Sequence, residues 1–181
     1  MRILKTILSI LGLFIVALLF IGLILPCKDT IVVTKTLNCA DSTIFEQVNT
    51  YKNWEKWSPW FEDDKNMKIT YNEIPSGTGS KYAWSGNEKV SFGEMAILNS
   101  VKNKTIEMQL VYEKNPPAIT TFNLTPNGDK TDIIWDIKMT YPENKIVKMF
   151  LGGYIHLMAN HYMNEYYTRG LNNIEKLCQS K

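Results

Sequence analysis

From Met67 to Met139 apolar and polar residues alternate with a period of two, in six successive runs. They are Met67–Tyr71, the pair Tyr82 and Trp84, Val90–Ser100, Ile106–Tyr112, Ile119–Thr125 and Ile133–Met139. A period of two belongs to strands with one buried face. The breaks between runs are short and rich in turn formers: Pro75-Ser76-Gly77-Thr78-Gly79, Gly86-Asn87, Pro116-Pro117 and Asn127-Gly128-Asp129. Consecutive strands joined by tight turns predict an antiparallel meander with one wet face. Asp29–Asn38 is rich in β-branched residues and reads as a further strand ahead of it. From Lys145 the pattern becomes helical, with Tyr167, Leu171, Ile174 and Cys178 on one stripe. Gly152-Gly153 predicts a break or kink there, with the main helix over Tyr154–Cys178. The order predicts an α+β fold in which a curved antiparallel sheet wraps a long C-terminal helix.

Between the first strand and the meander, Asp41 or Ser42 is placed to cap a helix with Ile44, Phe45 and Val48 on its apolar stripe. The helix leads into Tyr51–Asp64, YKNWEKWSPWFEDD, where Trp54, Trp57 and Trp60 recur at intervals of three. Trp54 and Trp57 would share one face of a short helix, and Ser58-Pro59 would stop it. The polar run from Glu62 to Asn66 reads as a solvated loop. Each indole buries roughly 150–250 Å², so the cluster demands a large apolar partner. Two roles are open to these rings: plugging the core between helix and sheet, or also roofing a ligand cavity.

Thr6–Leu25 runs twenty residues without a charge. As a helix it spans about 30 Å, the thickness of a bilayer's hydrocarbon. A cleaved signal peptide is disfavoured by the length of the run and by the lack of a small-x-small site after it. Pro26 makes Cys27 a poor lipoprotein site. The expected organisation is an N-terminal transmembrane anchor over residues 1–28, spanning through residues 6–25, and a domain over 29–181. Arg2, Lys5 and the amino terminus narrowly outweigh Lys28 and Lys35, which predicts an extracytoplasmic domain on a single-pass membrane protein.

Twenty lysines and arginines against eighteen acidic residues give a net charge of +2, and no basic stripe of the kind a nucleic acid needs. Cys27, Cys39 and Cys178 show no CxxC spacing, so neither a zinc site nor a redox motif is expected; Cys39 and Cys178 end two elements and could pair in an oxidising compartment. His156 and His161, five apart on one helix, point about 140° apart and do not make a metal pair. Ser58 and Ser85 lack the GxSxG elbow. Glu94, Glu107 and Glu165 are the carboxylates that burial would turn into an acid or base, and surface placement is expected for them. No catalytic residue, metal site or cofactor is assigned.

YKNWEKWSPW, GTGSKYAWSGNEKVSFGEMAI and NEYYTRGLNNIEKL together resemble the SRPBCC (START-like, polyketide cyclase/dehydrase and lipid transport) family, over roughly Ile31 to Leu177. The motif residues are Trp54, Trp57, Ser58, Pro59, Trp60, Gly77, Gly79, Tyr82, Trp84, Gly86, Asn87 and Gly93. The likeness is greatest to membrane-tethered bacterial members. It implies the helix-grip fold around a cavity for a hydrophobic small molecule or lipid. On that reading Trp57 and Trp60 close one end, and Tyr82, Trp84, Met95, Met108, Tyr112, Phe122 and Trp135 line the space. Two alternatives stay open: a cyclase or dehydratase acting on a bulky apolar substrate, and an interaction module with a filled core.

Overall fold

The computed structural model describes residues 2–24, 28–140 and 145–179, and the side chains of 3–20, 30–140 and 160–179. Helix α1 (Arg2–Ile24) precedes strand β1 (Lys28–Leu37). Helix α2 (Asp41–Asn49), a 3-10 helix (Tyr51–Lys56) and the short helix α3 (Pro59–Asp63) follow. Six strands then run in succession: β2 (Lys68–Tyr71), β3 (Lys81–Ser85), β4 (Phe92–Val101), β5 (Thr105–Tyr112), β6 (Ala118–Asn127) and β7 (Lys130–Thr140). Helix α4 (Lys145–Gln179) closes the chain. Cys27 and the side chain of His156 lie outside the described residues.

The alternating segment forms the expected meander. β1 returns to pair with β7, giving one curved seven-stranded antiparallel sheet in the order β1-β7-β6-β5-β4-β3-β2. Its inner face follows the alternation: Ile31 and Val33, Ile133, Trp135 and Ile137, Phe122 and Leu124, Ile106, Met108 and Leu110, Met95 and Ile97, Tyr82 and Trp84 are all buried. The turn at Gly128-Asp129 is a two-residue hairpin loop closed by the Asn127–Lys130 pair. Gly128 has φ +62°, the left-handed geometry such a loop requires.

Three local readings are corrected. Helix α4 passes through Gly152-Gly153 as one helix of 35 residues. A glycine costs about 1 kcal/mol in a helix interior but keeps its N–H donor, unlike proline, so the ladder continues. Helix α2 is preceded by Ala40 at its N-cap, with no side-chain cap; the Asp41 carboxylate instead accepts the Ser42 N–H at 2.6 Å. Pro59 does not end the preceding helix, which stops at Lys56; it opens α3, where its missing N–H costs nothing.

Helix α1 is long and apolar enough to cross a bilayer: Ile3–Phe20 has a mean hydropathy of 2.6, and none of it is buried. Helix α4 lies against β1 and also meets α1. The α4–β1 seam is fixed at its far end by a disulfide between Cys39 and Cys178, with Cα atoms 5.6 Å apart and 139 residues between them in sequence. Beside it the Lys35 ammonium donates to Glu175 Oε2 and to Asn172 Oδ1, both at 2.6 Å, and the Asn38 backbone N–H donates to Glu175 Oε1 at 3.2 Å. These donors, the Lys35 hydrogen bond foremost, hold the Glu175 carboxyl below its ordinary value of 4.5.

Two outcomes follow. A cross-link closing so long a loop restricts the unfolded chain strongly, so Cys178→Ser should lower unfolding stability by about 2–5 kcal/mol in a guanidinium titration. Reductant should reproduce that loss in the unmodified protein and leave the variant unchanged. Because Glu175 is more acidic folded than unfolded, its contribution is present above pH 4.5 and is lost as the pH falls below it. Glu175→Gln should therefore flatten the acid limb of the stability–pH curve while changing little in the slope above pH 6.

Candidate functional site

The interior between sheet and α4 is built from rings. Trp135 stands on β7 with Phe122 of β6 stacked on one side at 4.1 Å and Tyr167 of α4 on the other at 3.7 Å, nearly parallel at 6°. Trp57 meets the edge of both strand rings, at 6.5 Å from Phe122 and 6.1 Å from Trp135. Gly170 makes this approach feasible, since a Cβ there would lie 3.3 Å from the Trp135 ring and 3.4 Å from the Trp57 ring. From Trp57 the contacts continue through Trp54 at 4.6 Å, then Tyr51, Tyr82, Trp84 and Tyr112.

Each buried indole N–H has a protein acceptor. Trp54 donates to Val48 O, Trp57 to Gln47 O, Trp84 to Val90 O and Trp135 to Thr120 Oγ1, all within 3.1 Å. Helix α2 thus receives both indoles of the WEKW segment on its carbonyls. The Trp84 ring covers Gly93 directly opposite on β4, where an added Cβ would come within 2.4 Å of the indole. Gly93 is glycine because the ring occupies its side-chain space.

The strand register sorts the nine candidate residues along the sheet. β1 begins at Lys28, three residues beyond the end of α1, so one end of the sheet is the α1 end. Trp84, Gly93 and Tyr112 form the inner-face row at that end. Tyr82, Met95, Leu110 and Ala118 form the next. Met108 pairs with Thr120 in the third row, and Phe122 and Trp135 lie opposite each other beyond it. Trp57 is 1% exposed and packs on this far group rather than standing at the rim. Trp60, half-buried on α3, rests on Tyr166 at 5.6 Å. The far half is therefore filled by Trp57, Phe122, Trp135 and Tyr167.

Polar groups inside are few. The Tyr51 hydroxyl is buried and has no hydrogen-bond partner among the described residues. Its ring lies 4.7 Å from Tyr82, over the second row from the α1 end. Burial, with the neighbouring tyrosine second, pushes both phenols far above their ordinary value of 10, so they are neutral donors. Glu94 and Glu165 are exposed, as expected; Glu107 is partly buried on the outer face of β5. Among the described residues no group of three or more His, Cys, Asp or Glu is placed to hold a metal. A cleft of about 240 Å³ at the opposite end, between the start of α2 and the β6–β7 hairpin, is lined by Ala40, Asp41, Pro126 and Gly128–Thr131 and by none of the nine candidates.

Sequence reasoning missed the polar clasp between α3 and α4. Glu62 and Asp63 do not enter a solvated loop. The Asp63 carboxylate accepts from Arg169 Nη2 at 3.0 Å and from the Tyr166 hydroxyl, and burial followed by that carboxylate pushes the phenol up to about 12. Arg169 Nε lies 3.3 Å from Glu62 as an ion pair, and Asn173 Nδ2 donates to both Glu62 Oε1 and the Trp57 carbonyl. Asp64 accepts the Asn87 N–H at 2.7 Å, tying the same segment to the β3–β4 turn. The only sequence signal was the density of acids after Phe61 and of polar residues among Arg169, Asn172 and Asn173.

No family model matches the chain, and no curated protein matches it. Solved structures do. A Staphylococcus aureus protein of unknown function aligns at 13% identity with a TM-score of 0.63, over 84% of this chain and 96% of its own. A Thermus thermophilus protein aligns at 11% and 0.60, over 84% and 98%. A Chromobacterium violaceum protein aligns at 14% and 0.58, over 82% and 96%. At these identities the likeness establishes the fold, a helix-grip-like sheet with its C-terminal helix.

With Trp57 wholly buried among rings, Trp57→Ala should cost about 3–5 kcal/mol in denaturant unfolding. The near-UV circular dichroism of the tryptophans should weaken in parallel, because Trp54 and Trp135 lose a ring neighbour.

Proposed function

We propose that this is a membrane-anchored SRPBCC-type domain that holds a hydrophobic small molecule or lipid between the inner face of the sheet and the first half of α4. The observation that carries the reading is a juxtaposition. An apolar helix, unburied over Ile3–Phe20, ends three residues before the sheet, at the end whose inner rows are Trp84, Gly93 and Tyr112, then Tyr82, Met95 and Leu110. Apolar walls carrying one or two polar groups are the usual form of a small-molecule site, and the Tyr51 hydroxyl is such a group. The far half is filled with rings, so the ligand belongs to the α1 end.

The Cys39–Cys178 bond supports an extracytoplasmic domain, since structural disulfides persist in oxidising compartments. It agrees with the narrow excess of positive charge ahead of α1. The stacked Phe122–Trp135–Tyr167 group, with Trp57 edge-on to it, favours a second reading, an interaction module whose core is its own side chains.

One experiment decides between them. Native mass spectrometry of the full chain released from lipid nanodiscs should find one apolar molecule retained per protein. Tyr51→Phe, which removes one hydroxyl and keeps the ring, should weaken retention of a ligand bearing a hydrogen-bonding oxygen by about fivefold, as expected for about 1 kcal/mol. A protein that carries no molecule under conditions preserving its fold would overturn the binding reading in favour of the filled module.

A further inference from the structure

We propose that the first half of α4, residues 145–158, lies in the boundary between lipid headgroups and acyl chains beside α1, so that the bilayer surface is the partner of this segment. The inference rests on the anchor reading of α1 and adds a second membrane contact made by the domain's own gripping helix.

Lengths along the α4–β1 seam point to it. Both elements are pinned at the far end by Cys39–Cys178. Back from Cys39 to Lys28, β1 and the two residues after it cover at most about 36 Å at 3.3 Å per residue. Back from Cys178 to Lys145, α4 covers about 50 Å at 1.5 Å per residue. The helix is thus longer than the strand it lies against by about 14 Å, or roughly nine residues. The excess projects from the α1 end, and α4 does meet α1. Only three residues separate α1 from β1, so that end is held within about 14 Å of where α1 leaves the bilayer.

Composition along α4 changes a little further on, between Met158 and Asn160. Residues 146–158 include Ile146, Phe150, Leu151, Ile155, Leu157 and Met158 and carry one formal charge, Lys148. From Asn160 onward the helix carries Glu165, Arg169, Glu175 and Lys176 and four asparagines. A soluble gripping helix needs one apolar stripe; a half-helix with so little charge suits a site where little of its circumference meets water. On the same end of the sheet Phe92, on the outer face of β4, is 48% exposed, the position of an aromatic interfacial anchor.

The test uses the full chain with Cys27→Ser, leaving the Cys39–Cys178 bond intact, in nanodiscs of phosphatidylcholine and phosphatidylglycerol. An environment-sensitive fluorophore is placed in turn at Phe14→Cys in α1, Phe150→Cys and Ile155→Cys in the first half of α4, and Glu165→Cys in its exposed second half. Nitroxide-bearing lipids should quench positions 14, 150 and 155 several-fold more than 165, while aqueous iodide should show the reverse order. Quenching at 14 with only iodide sensitivity at both 150 and 155 would overturn this inference and leave the anchor standing. Iodide sensitivity at 14 as well would sink the anchor and this inference together. Two positions in α4 guard against one label disturbing the fold.

Discussion

Trp135 held face to face with Tyr167 is the contact on which the arrangement turns. The sheet contributes one ring, the helix the other, and Phe122 backs the first from the neighbouring strand. Ring pairs of this kind add about 0.5–1.5 kcal/mol beyond their buried area, but the geometric effect matters more. It fixes the rotation of α4 about its axis, and so brings Gly170 under the Trp57 ring and Asn173 under the Trp57 carbonyl. The tryptophan segment, the sheet and the last helix, distant in sequence, are locked at one place. The clasp of Asp63, Glu62, Arg169 and Tyr166 and the nearby disulfide act on parts already positioned by that stack.

The stack also divides the molecule. On its far side, rings, disulfide and the Lys35–Glu175 pair leave little freedom, and such regions open only with global unfolding. Towards α1 the inner face consists of Tyr82, Trp84, Met95, Leu110 and Tyr112, among which the unbranched Met95 is the side chain that adapts to what it touches.

Much of this was legible from the residues. Alternation marked out the six strands, and within β4 Met95 and Ile97 are buried while Phe92 and Leu98 are exposed, because a period of two leaves no other solution when one face is buried. The chain of aromatic contacts was anticipated in kind, but not its depth: spacing brings Trp54 and Trp57 together, yet only tertiary packing decides whether Trp57 faces a rim or a core. Glu62 and Asp63 were misread because acidic residues after a short helix resemble a solvent-exposed turn, and their partners lie more than a hundred residues away. Local rules likewise failed at Gly152-Gly153 and at Pro59, where the question was whether a residue ends an element or merely weakens or begins one.

The brevity of the link between α1 and β1 has a further consequence. Three residues let the folded body tilt and turn but not travel, so with α1 embedded in a bilayer, as proposed, the domain would be a fixture of that surface rather than a ball on a string. On that reading its local concentration is very high at the surface that holds α1 and nil at any facing one. A ligand held as proposed would then be collected where the domain stands, and a recipient would have to come to it.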